Sequence, residues 1–117
     1  MRFIITGQVH GGKNHINITR TGHRYPSPLF AEWCNKVIAE LLPQKPVGFM
    51  VTTPSRFWTF KYTPADKRRR DAPAVLDACF HVFEKAGIVA DDSLVKDFRY
   101  TELEPSKAKA GMIVEVV

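Results

Sequence analysis

Between Ser27 and Pro43 the apolar residues fall at Leu29, Phe30, Trp33, Cys34, Val37, Ile38, Leu41 and Leu42, with Glu32, Asn35, Lys36 and Glu40 between them. Steps of three and four place those apolar side chains on one face of an α-helix. Ser27 stands where an N-cap residue stands. Pro28 suits the first helical position because its fixed φ is already helical, and Pro43 ends the run. A helix with one apolar stripe is not stable alone in water and has to press that stripe onto a second layer. A second stretch makes the same demand. Val75, Leu76, Cys79, Phe80, Val82, Phe83 and Ala86 recur at helical spacing after Pro73, and Gly87 suits the left-handed position just past a helix end.

The rest of the chain supplies the other layer. "RFIIT" reads as an opening strand, and "HINITRTGHRYPS" as a hairpin turning at Thr21-Gly22. "VGFMVTT" and "RFWTFKYT" read as two strands divided by Pro54-Ser55. "SLVKDFRYTELE" alternates as a strand does, and "MIVEVV" closes the sheet. Strands with two one-faced helices predict an α+β fold, a mixed β-sheet carrying two main helices. The length of 117 residues suits a single domain over 1–117, with no repeat, linker or low-complexity segment to divide it. Cys34 and Cys79 fall on the apolar faces of the two helices, so they read as reduced core thiols; without a C-x-x-C spacing they do not make a zinc site. "MRFIITGQ" is too short an apolar run for a signal peptide, and no run is long enough to span a bilayer. A cytoplasmic protein is expected, with no membrane partner.

The formal net charge of +5 favours an anionic partner, nucleic acid before membrane, since no basic amphipathic helix stands out. Gly7, Gly12 and Lys13 give most of a phosphate-binding P-loop after a strand. Such a loop needs Ser or Thr next, for magnesium, and then a helix whose N-terminus takes phosphate. Asn14 follows instead, and "HINITR" is β-like, so nucleotide binding of that kind is not expected. Lys13 and Asn14 stay open as contacts to a DNA phosphate or as part of a site wall.

The stretch "DKRRRDAPAVLDACFHVFEKAGIVADDSLV" concentrates the chemistry. Lys67, Arg68, Arg69 and Arg70 form a basic run that ends at Asp71, directly before the second helix. Such a run is often a solvated turn. Beside a carboxylate it also suits a phosphate and a hard cation, because magnesium takes one or two carboxylates together with substrate phosphate. Asp77 lies one turn along the helix from Pro73, and His81 continues that column. Asp91 and Asp92 follow the short apolar turn "GIVA", where they can cap the next turn or return beside Asp71. Phe57, Trp58, Phe60 and Tyr62, beside Arg56 and Lys61, can stack on bases or pack alternately into a core.

"RRRDAPAVLDACFHVFEKAGIVADDSLVKDF" resembles the core of the RusA family of Holliday junction resolvases. That family's pattern is a basic run, then D-x-D-N, a lysine four residues after the second aspartate, a helix ending in K-A-G, and a D-D pair before a strand. Here Asp71 matches the first aspartate, Lys85-Ala86-Gly87 the helix end and Asp91-Asp92 the acidic pair. Pro73, Ala74 and Asp77 stand where the family has its second aspartate, its asparagine and its lysine, and His81 stands where another aspartate is common. The resemblance implies a RusA-like fold and a Mg²⁺-dependent endodeoxyribonuclease acting as a homodimer on branched DNA. Paired symmetric incisions would resolve four-way junctions in recombination and repair, often from a prophage. Asp71 and Asp92 carry over as metal ligands, with Asp91 beside them, and Asp77 is the expected substitute for the carboxylate missing at Pro73. Lys13 or Arg70 would take over from the missing lysine. Lys67, Arg68, Arg69, Arg70, Lys13 and Asn14 are the expected DNA contacts. The competing expectation is a catalytically inactive relative that binds branched or single-stranded DNA.

Overall fold

In the computed structural model the described residues are 1–11, 16–18, 22, 24–26 and 28–117. Strand β1 (Arg2–Thr6) is followed by the short strands β2 (Ile16–Ile18) and β3 (Arg24–Pro26), then helix α1 (Pro28–Leu41). Strand β4 (Phe57–Thr63) leads into helix α2 (Ala72–Lys85), and strands β5 (Asp97–Glu102) and β6 (Gly111–Val116) complete the chain. The main sheet has the order β1-β6-β4-β5. Its β1–β6 and β6–β4 pairs are antiparallel and its β4–β5 pair is parallel, so the sheet is mixed and α2 is the crossover between parallel neighbours. The fold is α+β with two main helices, as the sequence predicts.

Alternation decides which face of the sheet is covered. Phe3 and Ile5 of β1, Trp58, Phe60 and Tyr62 of β4, and Met112, Val114 and Val116 of β6 are all buried. The intervening residues Arg2, Ile4, Lys61 and Glu115 are exposed. The helices lie on the first face. Phe83 of α2 meets Phe3 edge-on at 5.6 Å and Trp58 edge-on at 6.1 Å, which ties β1, α2 and β4 into one core. β6 enters the sheet between β1 and β4 and depends on a close approach at Gly111. A Cβ there would lie 2.1 Å from the Ile5 carbonyl oxygen, and the backbone φ is +148°, so no other residue fits without moving β1.

The edge strand β1 is closed by side chains from the end of α1. The Gln44 amide pairs with Ile4 as a strand would, accepting its N–H at 2.7 Å and donating to its carbonyl at 2.8 Å. Glu40 accepts the Thr6 N–H and hydroxyl, each at 2.6 Å, and Lys36 donates to the Thr6 carbonyl at 2.7 Å. Unpaired strand edges invite further strands, and this one is occupied.

The helix ends follow their sequence signals. Pro43 falls in a 3₁₀ turn, Leu42–Gln44, that ends α1. At the end of α2 the Gly87 N–H donates to the Glu84 carbonyl at 3.0 Å and the Ile88 N–H to the Phe83 carbonyl at 3.0 Å, with Gly87 at φ +73°. This is the Schellman arrangement. Ser27, the expected cap of α1, lies outside the described residues. β2 and β3 form the expected antiparallel hairpin.

Two expectations are corrected. "VGFMVTT" is not a strand; within it only Val51 bridges, to Val89. Gly48 turns the chain at φ +77° and Met50 is exposed, so the run has no sheet neighbour to alternate against. "SLVKDFRYTELE" is a strand only from Asp97, because Asp92–Leu94 forms a 3₁₀ turn. Among the described residues no helix is long and apolar enough to cross a membrane.

Candidate functional site

The basic run folds as a tight turn around Asp66. The Asp66 Oδ1 accepts the Arg68 N–H at 2.9 Å and the Arg70 Nη1 at 2.8 Å, and that nitrogen also donates to the Arg68 carbonyl at 3.0 Å. The Arg70 guanidinium and the Arg68 N–H hold the Asp66 carboxyl below its ordinary value. Arg70 is thereby fixed and half-buried, while Lys67, Arg68 and Arg69 stay exposed.

Asp71 comes next, at the N-cap of α2. Its side chain makes no capping hydrogen bond, although an aspartate there usually bonds the exposed N–H groups of the first turn. Its carbonyl accepts the Val75 N–H at 3.1 Å, so the backbone starts the helix while the side chain stays exposed.

A cavity of about 640 Å³ opens beside it, walled by residues 8–11 after β1, Trp33 of α1, the arginines Arg68 and Arg70, and Asp71 and Ala74 of α2. Gln8 pins the first wall. Its Oε1 accepts the Ala65 N–H at 2.8 Å and its Nε2 donates to the Tyr62 hydroxyl and to the Val9 carbonyl. Gly11 lies against Ala74, where an added Cβ would stand 3.4 Å from the Ala74 Cβ. Phe30 lies between the rings of His10 and His81, at 5.8 and 5.7 Å. Among the described residues the buried His10 Nδ1 and Trp33 Nε1 have no hydrogen-bond partner.

The other end of α2 gathers carboxylates. The Schellman turn reverses the chain, Ile88 and Val89 bury themselves, and Asp91 and Asp92 arrive beside the last turn of the helix. Asp91 caps the following 3₁₀ turn, its Oδ1 accepting the Ser93 N–H at 2.8 Å, which holds its carboxyl below the ordinary value. Glu84 accepts the Asp92 N–H at 3.0 Å. One oxygen each from Glu84, Asp91 and Asp92 lie within 4.8 Å of one another. Mg²⁺–oxygen distances of about 2.0–2.1 Å put adjacent octahedral ligands roughly 3 Å apart and opposed ones roughly 4.2 Å, so the trio must close in to share one ion. The donors are hard oxygens, which fit that ion.

The expected metal ligands therefore fall in three places. Asp91 and Asp92 do not return beside Asp71; of the two courses open to the pair, capping the next turn is the one realised. The helix axis separates Asp71 from Glu84 by about 20 Å at 1.5 Å per residue. Asp77 lies about 9 Å along that axis from Asp71, half-buried, and belongs neither to the cavity wall nor to the acidic trio. Lys13 and Asn14, with Gly12 of the P-loop-like run, lie outside the described residues. Trp58, Phe60 and Tyr62 are fully buried, so base stacking by them is excluded and the core reading of that strand stands; Phe57 remains exposed. Cys34 and Cys79 are free and buried, and burial pushes the Cys79 thiol up to about 12.

Sequence reasoning gave no site role to Gln8, His10, Trp33 or Glu84, although Glu84 lies near the column of Asp77 and His81. Glu84 left the one usable signal: it lies in the final turn before Lys85-Ala86-Gly87, next to wherever the reversed chain must pass. No protein-family model matches the chain, and no curated protein matches it significantly.

Proposed function

We propose that this chain is a Mg²⁺-dependent endonuclease of the RusA type that resolves four-way DNA junctions as a homodimer. The observation that carries the reading is the division of labour along α2. Its start presents Arg68, Arg70 and an Asp71 carboxylate that caps nothing, and its end presents the Glu84–Asp91–Asp92 trio. Arginines at the positive end of a helix suit backbone phosphates. The trio lies at the negative end of the helix, where carboxylates repel both one another and the dipole, so it gains from a cation.

About 20 Å is too far for Asp71 and Asp92 of one chain to share an ion. A two-fold axis at the middle of α2 runs the two copies of the helix antiparallel, setting the start of one beside the end of the other. In the dimer we propose, Asp71 of one protomer completes the trio of its partner, giving two equivalent sites for the two strands to be cut. Glu84, Asp91 and Asp92, with Asp71 of the partner subunit, would hold Mg²⁺ there, and the ion would supply positive charge beside the scissile phosphate and a more acidic water. Arg68 and Arg70 hold the flanking phosphates, and Asp66 fixes the direction of Arg70. The cytoplasm is the compartment that suits the two free thiols.

A synthetic four-way junction, incubated with and without Mg²⁺ and resolved on a denaturing gel, tests the proposal. Symmetric paired nicks that need the metal are expected, with sedimentation at twice the chain mass. One observation favours a second reading, a protein that only binds branched DNA: Pro73 and Ala74 occupy positions where the resembled family has a carboxylate and an amide. A mobility shift without nicks in Mg²⁺ or Mn²⁺ would select it.

A further inference from the structure

A second basic feature lies on the face of the sheet that the helices leave open. The loop 106–110, which joins β5 to β6, is fastened at three points. The Ser106 N–H donates to the Pro64 carbonyl at 2.9 Å, the Lys109 N–H to the Ser106 Oγ at 3.2 Å, and the Gly7 N–H to the Ala110 carbonyl at 2.8 Å. Lys107 and Lys109 of this loop are exposed, and with Lys61 they line a cleft of about 250 Å³. Register sets Lys61 abreast of Ile113 and Ile113 abreast of Ile4, so those three share one row of the open face. Among the described residues that line the cleft, the three lysines are the only ionisable ones. The nearby carboxylates are placed elsewhere. Glu40 is engaged by the N–H and hydroxyl of Thr6, where Lys36 also donates to the carbonyl, and Glu115 lies one row further along, opposite Thr59.

The cleft adjoins the arginine turn. Lys61 stands two residues, about 7 Å of strand, before the end of β4 at Thr63. The chain then passes Pro64, which holds the lysine loop, and reaches Asp66, which holds Arg68 and Arg70. Lysine loop and arginine turn thus meet at one end of the sheet, with the arginines leading into α2 and the lysines on the open face. Fixed cations with no carboxylate among them suit a polyanion, whose phosphates recur along its length. We propose that the lysine cleft is a second DNA contact, which holds the phosphate backbone of a duplex arm as it leaves the junction. The inference rests on the reading that DNA is the substrate. One turn of duplex rises about 34 Å, against a molecule of 46 × 31 × 25 Å, so a single arm is long enough to touch both the arginine turn and the cleft. A dimer built through α2 leaves the opposite face of the sheet uncovered, so it offers two clefts, one for each of two arms. Phosphate contacts carry no base information, which suits a grip on an arm of any sequence.

The test measures binding of the full-length protein to a four-way junction with long arms, without Mg²⁺ so that no strand is cut. Lys107→Ala/Lys109→Ala is expected to weaken binding and to lower the slope of log affinity against log salt by about two units, one per lost phosphate contact. Arg2→Ala/Arg56→Ala removes the same number of charges from the opposite end of the sheet and is expected to change the slope far less. All four side chains are exposed, so the melting temperatures of both variants are expected to stay near the wild-type value. Hydroxyl-radical footprinting locates the contact. Wild type is expected to protect the backbone near the crossover and a further stretch along an arm, and the lysine variant to lose only the outer stretch.

A lysine variant with the wild-type slope and footprint overturns the proposal and leaves the resolvase reading standing. A control variant that loses as much as the lysine variant overturns it too. Titration with linear duplex separates the two readings. If the junction is held no more tightly than linear duplex, but both lose affinity in the lysine variant, the resolvase reading fails and the cleft stands as a DNA contact. If neither DNA is bound at low salt, the proposal is overturned. Lysine-dependent sedimentation with phosphatidylserine vesicles would then assign the cleft to an anionic membrane surface instead.

Discussion

The two ends of α2 hold aspartates in capping positions and use them in opposite ways. At the start, Asp71 stands where a carboxylate is favoured twice over, by the exposed N–H groups and by the helix dipole, yet its side chain caps nothing. At the finish, Asp91 caps the next turn and Glu84 holds the Asp92 N–H, so the acidic groups are fixed by backbone hydrogen bonds at the end where the dipole opposes them. The first end keeps a free carboxylate beside arginines. The second fixes three carboxylates beside one another. A capping position therefore says little about a carboxylate's work until the hydrogen bonds are known, and the comparison can be broken experimentally.

The largest effect is expected from charge removal at both ends. Asp71→Asn and Asp92→Asn should each lower the cleavage rate by about 100-fold or more, the scale of losing an essential electrostatic contribution, while junction binding is kept or tightened. Mixing the two inactive proteins should restore nicking of one strand if the proposed dimer forms, because a mixed dimer would then hold one intact composite site. If the mixture stays inactive under conditions where subunits exchange, the shared site is wrong and each end of α2 works alone.

Metal binding sharpens the contrast next. Mg²⁺ at about 100 times its dissociation constant should stabilise wild type by roughly 2.7 kcal/mol, read as a rise in melting temperature. Glu84→Gln retains an acceptor for the Asp92 N–H but removes a charge, and should lose most of that rise. An unchanged rise would place the ion elsewhere.

Smaller still is the arginine effect. Replacing Arg68 and Arg69 with alanine should weaken junction binding and reduce its salt dependence by about one unit of slope per lost phosphate contact. Asp77→Asn should leave cleavage within about threefold and stability within about 1 kcal/mol, since Asp77 sits between the two ends and lines neither. A collapse of activity in that variant would restore Asp77 as the substitute for the carboxylate missing at Pro73.

The smallest expected effect concerns acid. Asp66 has a folded carboxyl value below its ordinary 3.8, first through its bond from Arg70. Its hold on Arg70 is therefore complete above the ordinary value and is lost as pH falls through the lowered one. Asp66→Asn should change the melting temperature little near neutral pH, because Asp66 is exposed, but should loosen Arg70 and modestly weaken junction binding in a gel-shift titration.

Both helices, the opening strand, the hairpin, the strand beginning at Phe57 and the turn at Gly87 were legible in the sequence. Each depends on side-chain periodicity or capping within a few neighbouring residues, and that information is local. The sequence left open whether Asp91 and Asp92 cap the next turn or return beside Asp71, and the structure holds them by the last turn of α2. Tertiary structure alone decided that β6 lies between β1 and β4, that Gln44 closes the edge at Ile4, and that Trp58, Phe60 and Tyr62 face the helices rather than a ligand. It alone assembled the cavity from residues as far apart as Gln8, Trp33 and Asp71, and it alone joined Glu84 to the acidic pair. Such pairings depend on which distant segments bury apolar area together. Periodicity shows which face of an element is apolar, but the partner that covers it is chosen by the packing of the whole chain.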